Sequence, residues 1–250
     1  MTPEIRIIPL GGIPEVRAGD DLSALLLAAA AGDRRSLLPG DILVVTQKIV
    51  SKAEGRVVAL ASVAPSSQAS EMAETVGKDA RVVELILRES KRVVRLAPGV
   101  LITETKHGFV CANSGVDASN IDLGSVCLLP EDPDGSAQML RNRIQDALGI
   151  EVPVVISDTF GRAWREGQTN VAIGIAGMSP FIDYVGRRDT FGRELQVSTL
   201  AVADELASAA ELAMGKLDRV PAVIVRGFPF TPGSGSAREM VRPAERDLFR

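Results

Sequence analysis

An α+β fold with mixed β-sheets and flanking helices is what this sequence predicts. Three observations carry that reading. Short β-rich runs and helical stretches intermingle without the strict alternation of a doubly wound sheet. No internal repeat and no clear linker divides the chain. The 250 residues, 46% hydrophobic and 24% charged, can bury a substantial core in one large domain or two small ones.

The elements follow in order along the chain. Ile5 to Leu10 reads as a buried strand, broken by the turn Gly11-Gly12-Ile13-Pro14-Glu15. Asp20 or Asp21 caps a helix that runs through Ala31 and ends at Gly32. Ile42 to Val45 is a short β-rich run after Pro39-Gly40-Asp41. Ala69, Met72, Ala73, Val76, Ala80, Val83 and Leu87 fall at helical spacing, with Gly77 weakening the pattern. Strands are expected at Val93–Leu96, Val100–Thr103, Phe109–Ala112 and Val126–Leu129. Ala137, Leu140, Ile144, Ala147 and Leu148 line one face of a helix closed by Gly149. Strands at Val152–Ile156 and Val171–Ile175, an alanine-rich helix from Leu200 to Lys216 and a strand at Ala222–Arg226 complete the set. From Thr231 to Arg250 the chain begins Pro-Gly-Ser-Gly-Ser and ends highly charged, which suits a flexible or partner-dependent tail.

Composition excludes several function classes. A net charge of −4 argues against a general nucleic-acid binder, which usually shows a basic stripe. Cys111 and Cys127 form neither a CxxC pair nor a zinc pattern, and a reducing cytoplasm fits them best. His107 is the only histidine, so a histidine-rich metal site is excluded. The N-terminus does not read as a signal peptide. The longest apolar stretch, Leu22 to Ala31, falls short of the ~20 residues of a membrane span.

Two polar runs carry most of the functional signal: Cys111–Asn120 and Ile156–Asn170. The second combines an acid, hydroxyls, two glycines, two arginines and the only tryptophan. It suits a loop that holds a cation and an anionic ligand together. Asp117 and Asp158 are candidate ligands for a hard cation, because Mg²⁺ takes one or two carboxylates plus substrate phosphates. Thr159 adds a hydroxyl. Both acids can equally be turn or cap residues. Lys48 and Lys52 follow a strand end and can meet phosphate, or form a solvated i,i+4 face. Arg162 and Arg165 can grip phosphate or carboxylate in bidentate pairs. No GxxxxGK[ST] loop occurs. His107 is an acid/base candidate or a turn residue, and Trp164 either stacks on a ring or packs in the core. Residues 183–196 form a third polar region, a candidate rim for an anion or metal site.

Four segments in order, VVTQKIVSK (44–52), HGFVCANSGVDASN (107–120), ISDTFGRAWREGQTNVAIG (156–174) and ADELASAAELAMGK (203–216), closely resemble the coenzyme F420-0:L-glutamate ligase family. The resemblance spans Pro9 to Gly227. It implies that residues 1–230 form the ligase domain, with 231–250 as the tail. It also implies an unusual α+β family fold in a cytoplasmic homodimer. The implied reaction is GTP-dependent addition of L-glutamate to coenzyme F420-0, followed by γ-linked glutamates. Mg²⁺ or Mn²⁺, two per subunit, and K⁺ are the implied cofactors. By the same resemblance, Asp117, Asp158 and Thr159 are metal ligands. Gln47, Lys52, Asn120 and the turn Ile13-Pro14-Glu15-Val16 contact GTP, with Gln196 a further candidate for the metal or GTP site. Chemistry alone suggests that Lys52, Arg162 and Arg165 stabilise transferred charge. Two rivals use the same residues: a metal-dependent nucleotide phosphohydrolase, and a non-catalytic nucleotide-binding module.

Overall fold

A computed structural model describes residues 4–31 and 36–247. The helix end expected at Gly32 and the last three residues of the tail lie outside them. The chain is α+β with mixed sheets. Strands β1 (Arg6–Leu10) and β2 (Ile42–Thr46) flank helix α1 (Leu22–Ala29). Asp21 caps α1 by accepting the amide hydrogen of Ala24. Helix α2 (Gln47–Ala53) starts directly from β2, and β3 (Val57–Ala59) follows.

The stretch of helical spacing around residue 77 is two helices, α3 (Ser67–Val76) and α4 (Ala80–Arg88). Gly77 takes φ 65°, a left-handed cap that lets α3 end and the chain turn. The Asp79 side chain then caps α4 by accepting from the Arg81 amide. Strands β4 (Ser90–Ala97), β5 (Val100–Thr105) and β6 (Val110–Ala112) form an antiparallel sheet. Strand β7 (Ser125–Cys127) pairs with β3. Helix α5 (Pro133–Leu148) opens with proline at its first turn and is closed by Gly149 at φ 68°.

Strands β8 (Val154–Arg162) and β9 (Arg165–Ala176) form one long hairpin. This corrects the expectation of a ligand-holding loop over 156–170: the polar run is itself β-structure, its apolar start buried and its tip exposed. The short strands β10 (Ile182–Asp183) and β11 (Thr199–Leu200) pair across the third polar region. Helix α6 (Val202–Met214) and β12 (Ala222–Arg226) complete the order.

The main sheet runs β1-β12-β2-β8-β9, with β2 and β8 parallel and the other neighbours antiparallel. Its central strands are apolar on both faces because helices cover them. A large core gathers this sheet with α1, α5 and α6. A second core gathers Val83 and Ile86 of α4, Met72 and Val76 of α3, and Leu101, Val116, Val126 and Leu128. Arg56 joins the two parts, donating to Glu89 Oε2 at 2.6 Å and to the Leu129 carbonyl at 2.9 Å.

The segment after Thr231 lies against the large core. Met178 bridges Pro232, and Ala237 is fully buried. Asp134 of α5 accepts from the Ser236 hydroxyl at 2.5 Å and from the Ala237 amide at 3.0 Å.

Glu54, the residue after α2, accepts a hydrogen bond from Ser136 of α5. Burial pushes its carboxyl above the ordinary value of 4.5. Between 4.5 and that raised value the folded state holds an extra proton, so stability from this group is present at low pH and lost as pH rises. Glu54→Gln is therefore expected to stabilise the chain slightly at pH 7. The gain should shrink on acidification, as read by urea unfolding at pH 7 and pH 4; a constant difference would count against a strained Glu54.

Candidate active site

Three sequence-distant segments meet where α2 leaves the main sheet. Lys48 and Lys52 stand one turn apart on α2, on the side that faces residues 117–120. The Lys48 ammonium pairs with the Asp117 carboxylate and donates to the Ser119 carbonyl at 2.9 Å. The Lys52 ammonium pairs with Glu15 and donates to the Asn120 carbonyl at 2.9 Å. The two lysine side chains are only 17% and 12% exposed, so the solvated i,i+4 face is not what forms.

Residues 111–120 are folded to allow this meeting. Asn113, Ser114 and Asn120 all have positive φ near 50°, a conformation that asparagine tolerates better than most residues. Gly115 has φ 72°, and a Cβ there would lie 2.7 Å from the Leu129 side chain. Ser114 is buried and shares hydrogen bonds with Ser90 at 2.7 Å and Thr103 at 2.6 Å. Asp117 then exchanges both backbone hydrogen bonds with Cys127, which fixes its side chain beside α2.

Asp158 arrives from the other direction, on β8. Its carboxylate accepts from the Gln47 side chain and from the Thr159 amide, and it feels the charges of Lys48 and Asp117. Burial, reinforced by the Asp117 charge, pushes its pKa up to about 6 despite the favourable Lys48 charge. Burial acts on Asp117 too, but hydrogen bonds from Lys48 and Ser119 outweigh it and hold that carboxyl below its ordinary value. Lys48 acts on both carboxylates, and with the Lys52–Glu15 pair the cluster sets the two lysines against three acids.

The donor chemistry is that of a hard cation: carboxylate, hydroxyl and carbonyl oxygens. The Lys48 ammonium takes the place on Asp117 that a cation would compete for. Among the described residues no group of three or more His, Cys, Asp and Glu side chains gathers to hold a metal. Mg²⁺ needs only one or two protein carboxylates when substrate phosphates supply the other oxygens.

Successive side chains on a strand point to opposite faces, and Asp158 and Thr159 follow that rule. The Thr159 hydroxyl donates to Asn170 Oδ1 at 2.7 Å and accepts from Lys216 at 2.6 Å. Asn170 in turn donates to Glu211 at 2.9 Å, and Glu211 pairs with Lys216 at 3.0 Å. This second polar group, on the α6 side, was missed by reading the sequence. Its signal was Glu211 near the end of α6 and Lys216 just beyond it, together with Asn170 in β9.

The remaining candidates sit apart. Arg162 turns back on its own hairpin, donating to the carbonyls of Glu166 and Gly167, and Arg165 is its exposed register partner. Four residues of strand separate Arg162 from Asp158, about 13 Å. Trp164, at the tip, is 76% exposed and does not pack in the core. Gln196 contacts Glu194 at 3.4 Å in an exposed segment. Ile13 packs on the core, Val16 is buried within it, and Pro14 lies between them in the turn that carries Glu15.

His107 Nε2–H lies 2.9 Å from the Pro130 carbonyl and 3.1 Å from that of Glu131. Burial lowers its pKa, which suits a neutral ring holding a turn. Both cysteines are free and buried. Burial, with the nearby Asp158 charge, pushes the Cys111 thiol up to about 12, so it is no nucleophile at neutral pH.

Fold and site together bring acids from three segments against two lysines of α2 on a mixed α+β frame. The family model for F420-0:Gamma-glutamyl ligase matches residues 12–227, and the chain belongs to that family. It is 48% identical over 249 residues to the coenzyme F420:L-glutamate ligase of Methanothermobacter thermautotrophicus, covering 98% of this chain and 99% of that one. The protein of the same name from Methanopyrus kandleri is 47% identical over 99% of this chain and 98% of its own. That from Archaeoglobus fulgidus is 44% identical over 98% of this chain and 96% of its own.

Proposed function

We propose that this chain joins L-glutamate to coenzyme F420-0 at the expense of GTP, in the cytoplasm, and then adds γ-linked glutamates. The observation that carries the reading is the meeting of Glu15, Lys52 and Asn120 beside Asp117 and Asp158 in a chain of this family. A carboxylate is a poor electrophile and needs activation before it forms an amide. The acceptor carboxylate attacks the γ-phosphorus of GTP, giving an acyl phosphate and GDP. The amine of glutamate then attacks the acyl carbon and phosphate leaves.

Asp117 and Asp158 would hold the divalent ions, Mg²⁺ or Mn²⁺, two per subunit. When bound, such ions neutralise phosphate oxygens during transfer. Thr159 turns its hydroxyl to the opposite face, where it meets Lys216, and supports Asp158 through its backbone amide. Gln47 orients Asp158. Lys52 supplies fixed positive charge to the triphosphate, and the turn Ile13–Val16 with Asn120 frames the nucleotide. Arg162, Arg165 and Gln196 meet the substrate only if the hairpin tip and the 183–200 segment are brought to it. The exposed Trp164, Phe191, Val197, Leu212 and Leu217 are suited to burial in a homodimer, and K⁺ is proposed as a further activator.

Incubating the protein with F420-0, glutamate, GTP and Mn²⁺ should yield F420-0 heavier by glutamate units, read by mass spectrometry. Phosphate release from GTP without amide product would favour a phosphohydrolase instead. Lys52→Ala should raise the GTP concentration needed for half-maximal rate by about tenfold. An unchanged GTP dependence would remove Lys52 from the nucleotide site.

A further inference from the structure

Away from the acid–lysine cluster, an open groove of about 600 Å³ runs between the β4–β5 hairpin and the segment 238–244. Four cations line it, Lys91, Arg92, Arg238 and Arg242, against the single carboxylate of Glu104. Glu104 accepts from Arg92 at 2.8 Å, and Arg238 reaches Asp132 at 3.7 Å. Lys91 and Arg242 make no ion pair among the described residues. On a chain with a net charge of −4, such a concentration of positive charge creates a local field for anions.

The groove's outer wall is built into the fold. Ser236 and Glu239 form a capping box, Ala237 is fully buried, and Asp134 ties both Ser236 and Ala237 to α5. Gly108 takes φ 103°, which the 105–109 turn requires, and both it and Val241 line the groove. His107, on the lining, stacks on Phe109 at 5.7 Å, and Phe109 meets Phe160 edge-on at 6.4 Å. Phe160 is two residues from Asp158 on the same face of β8. Two ring contacts thus link the groove lining to the strand that carries Asp158.

We propose that this groove binds an extended polycarboxylate, the acidic glutamyl tail of the product. The inference rests on the reaction proposed above, because each glutamate added leaves further carboxylates on the growing end. The nucleotide is drawn to the separate group around Lys52, which leaves Lys91 and Arg242, without an ion pair among the described residues, for a carboxylate chain.

Calorimetric titration of the full chain with tri-γ-glutamate tests this, with sodium tripolyphosphate and GTP as comparison arms. Wild type should bind tri-γ-glutamate, more weakly as salt rises. Lys91→Glu with Arg242→Glu should weaken that binding on the order of tenfold or more, while addition of the first glutamate and the GTP dependence are unchanged. Lys91→Gln with Arg242→Gln should weaken it less, in the same direction, and guards against a folding defect in the reversed pair. Equal affinity in wild type and both variants would overturn the proposal. So would tripolyphosphate binding that tri-γ-glutamate fails to displace. Binding needs no turnover: protein that transfers glutamate but binds no tri-γ-glutamate refutes the groove alone, whereas protein that binds it but transfers none refutes the reaction.

Discussion

Asp158→Asn should fold as the wild type does and lose metal-dependent turnover by about a hundredfold to a thousandfold. The change is nearly isosteric and keeps an oxygen to accept from Gln47 and the Thr159 amide. It removes one of the two carboxylates proposed to hold a divalent ion. Because burial has lifted this carboxyl from 3.8 to about 6, the ionised form is disfavoured in the folded chain. Stability from this group is present at low pH and lost as pH rises through about 6, so the asparagine variant should melt no lower than wild type at pH 7. The same shift predicts an acid limb in the wild-type rate near pH 6 at low Mn²⁺. That limb should move to lower pH as Mn²⁺ is raised, since a bound cation favours the carboxylate. Rates near wild type at limiting Mn²⁺, or a limb indifferent to the ion, would remove Asp158 from the site.

Gly174→Ala should cost about 3 kcal/mol or more of stability. Gly174 lies on β9 where the first turn of α5 crosses it, and a Cβ there would sit 2.3 Å from the Pro133 carbonyl oxygen. The obstacle is backbone, so no rotamer change relieves it. Displacing α5 would also loosen Asp134, which accepts from the Ile175 amide at 2.8 Å and holds Ser236 and Ala237. For a chain of this size the loss should lower the melting temperature by roughly 10 °C. Gly161→Ala is the control, because a Cβ there meets nothing within 4 Å. Matching melting temperatures for the two variants would refute the close approach of β9 and α5.

Local pattern made much of this fold legible. The apolar runs at 42–45 and 222–226 became central strands because such runs are buried on both faces of a covered sheet. Asp21 and Gly149 marked helix ends because capping chemistry is local. Gly77 carried more than a weakened helix: its left-handed φ separates α3 from α4, which the period alone cannot show. The hairpin over 156–170 was hidden because Asp, Gly and Asn are poor strand formers, and its pairing is decided by β9. The pairing of Asp117 with Lys48 and the nearness of Asp158 come from chain crossings that no spacing encodes. Family resemblance brought those residues forward; residue chemistry alone left Lys48 and Lys52 closer to a solvated helix face. Glu211, Asn170 and Lys216 escaped notice because each is ordinary in its own element.

The acids come from opposite sides of a boundary: Asp158 belongs to the sheet of the large core, Asp117 to the strands packed on the small one. Helix α2 spans that boundary with Lys48 and Lys52, so whatever settles between the aspartates acts as a staple. Amide hydrogens of α3 and α4 should exchange faster than those of the main sheet in the bare protein, and slow toward them when an ion and nucleotide are supplied.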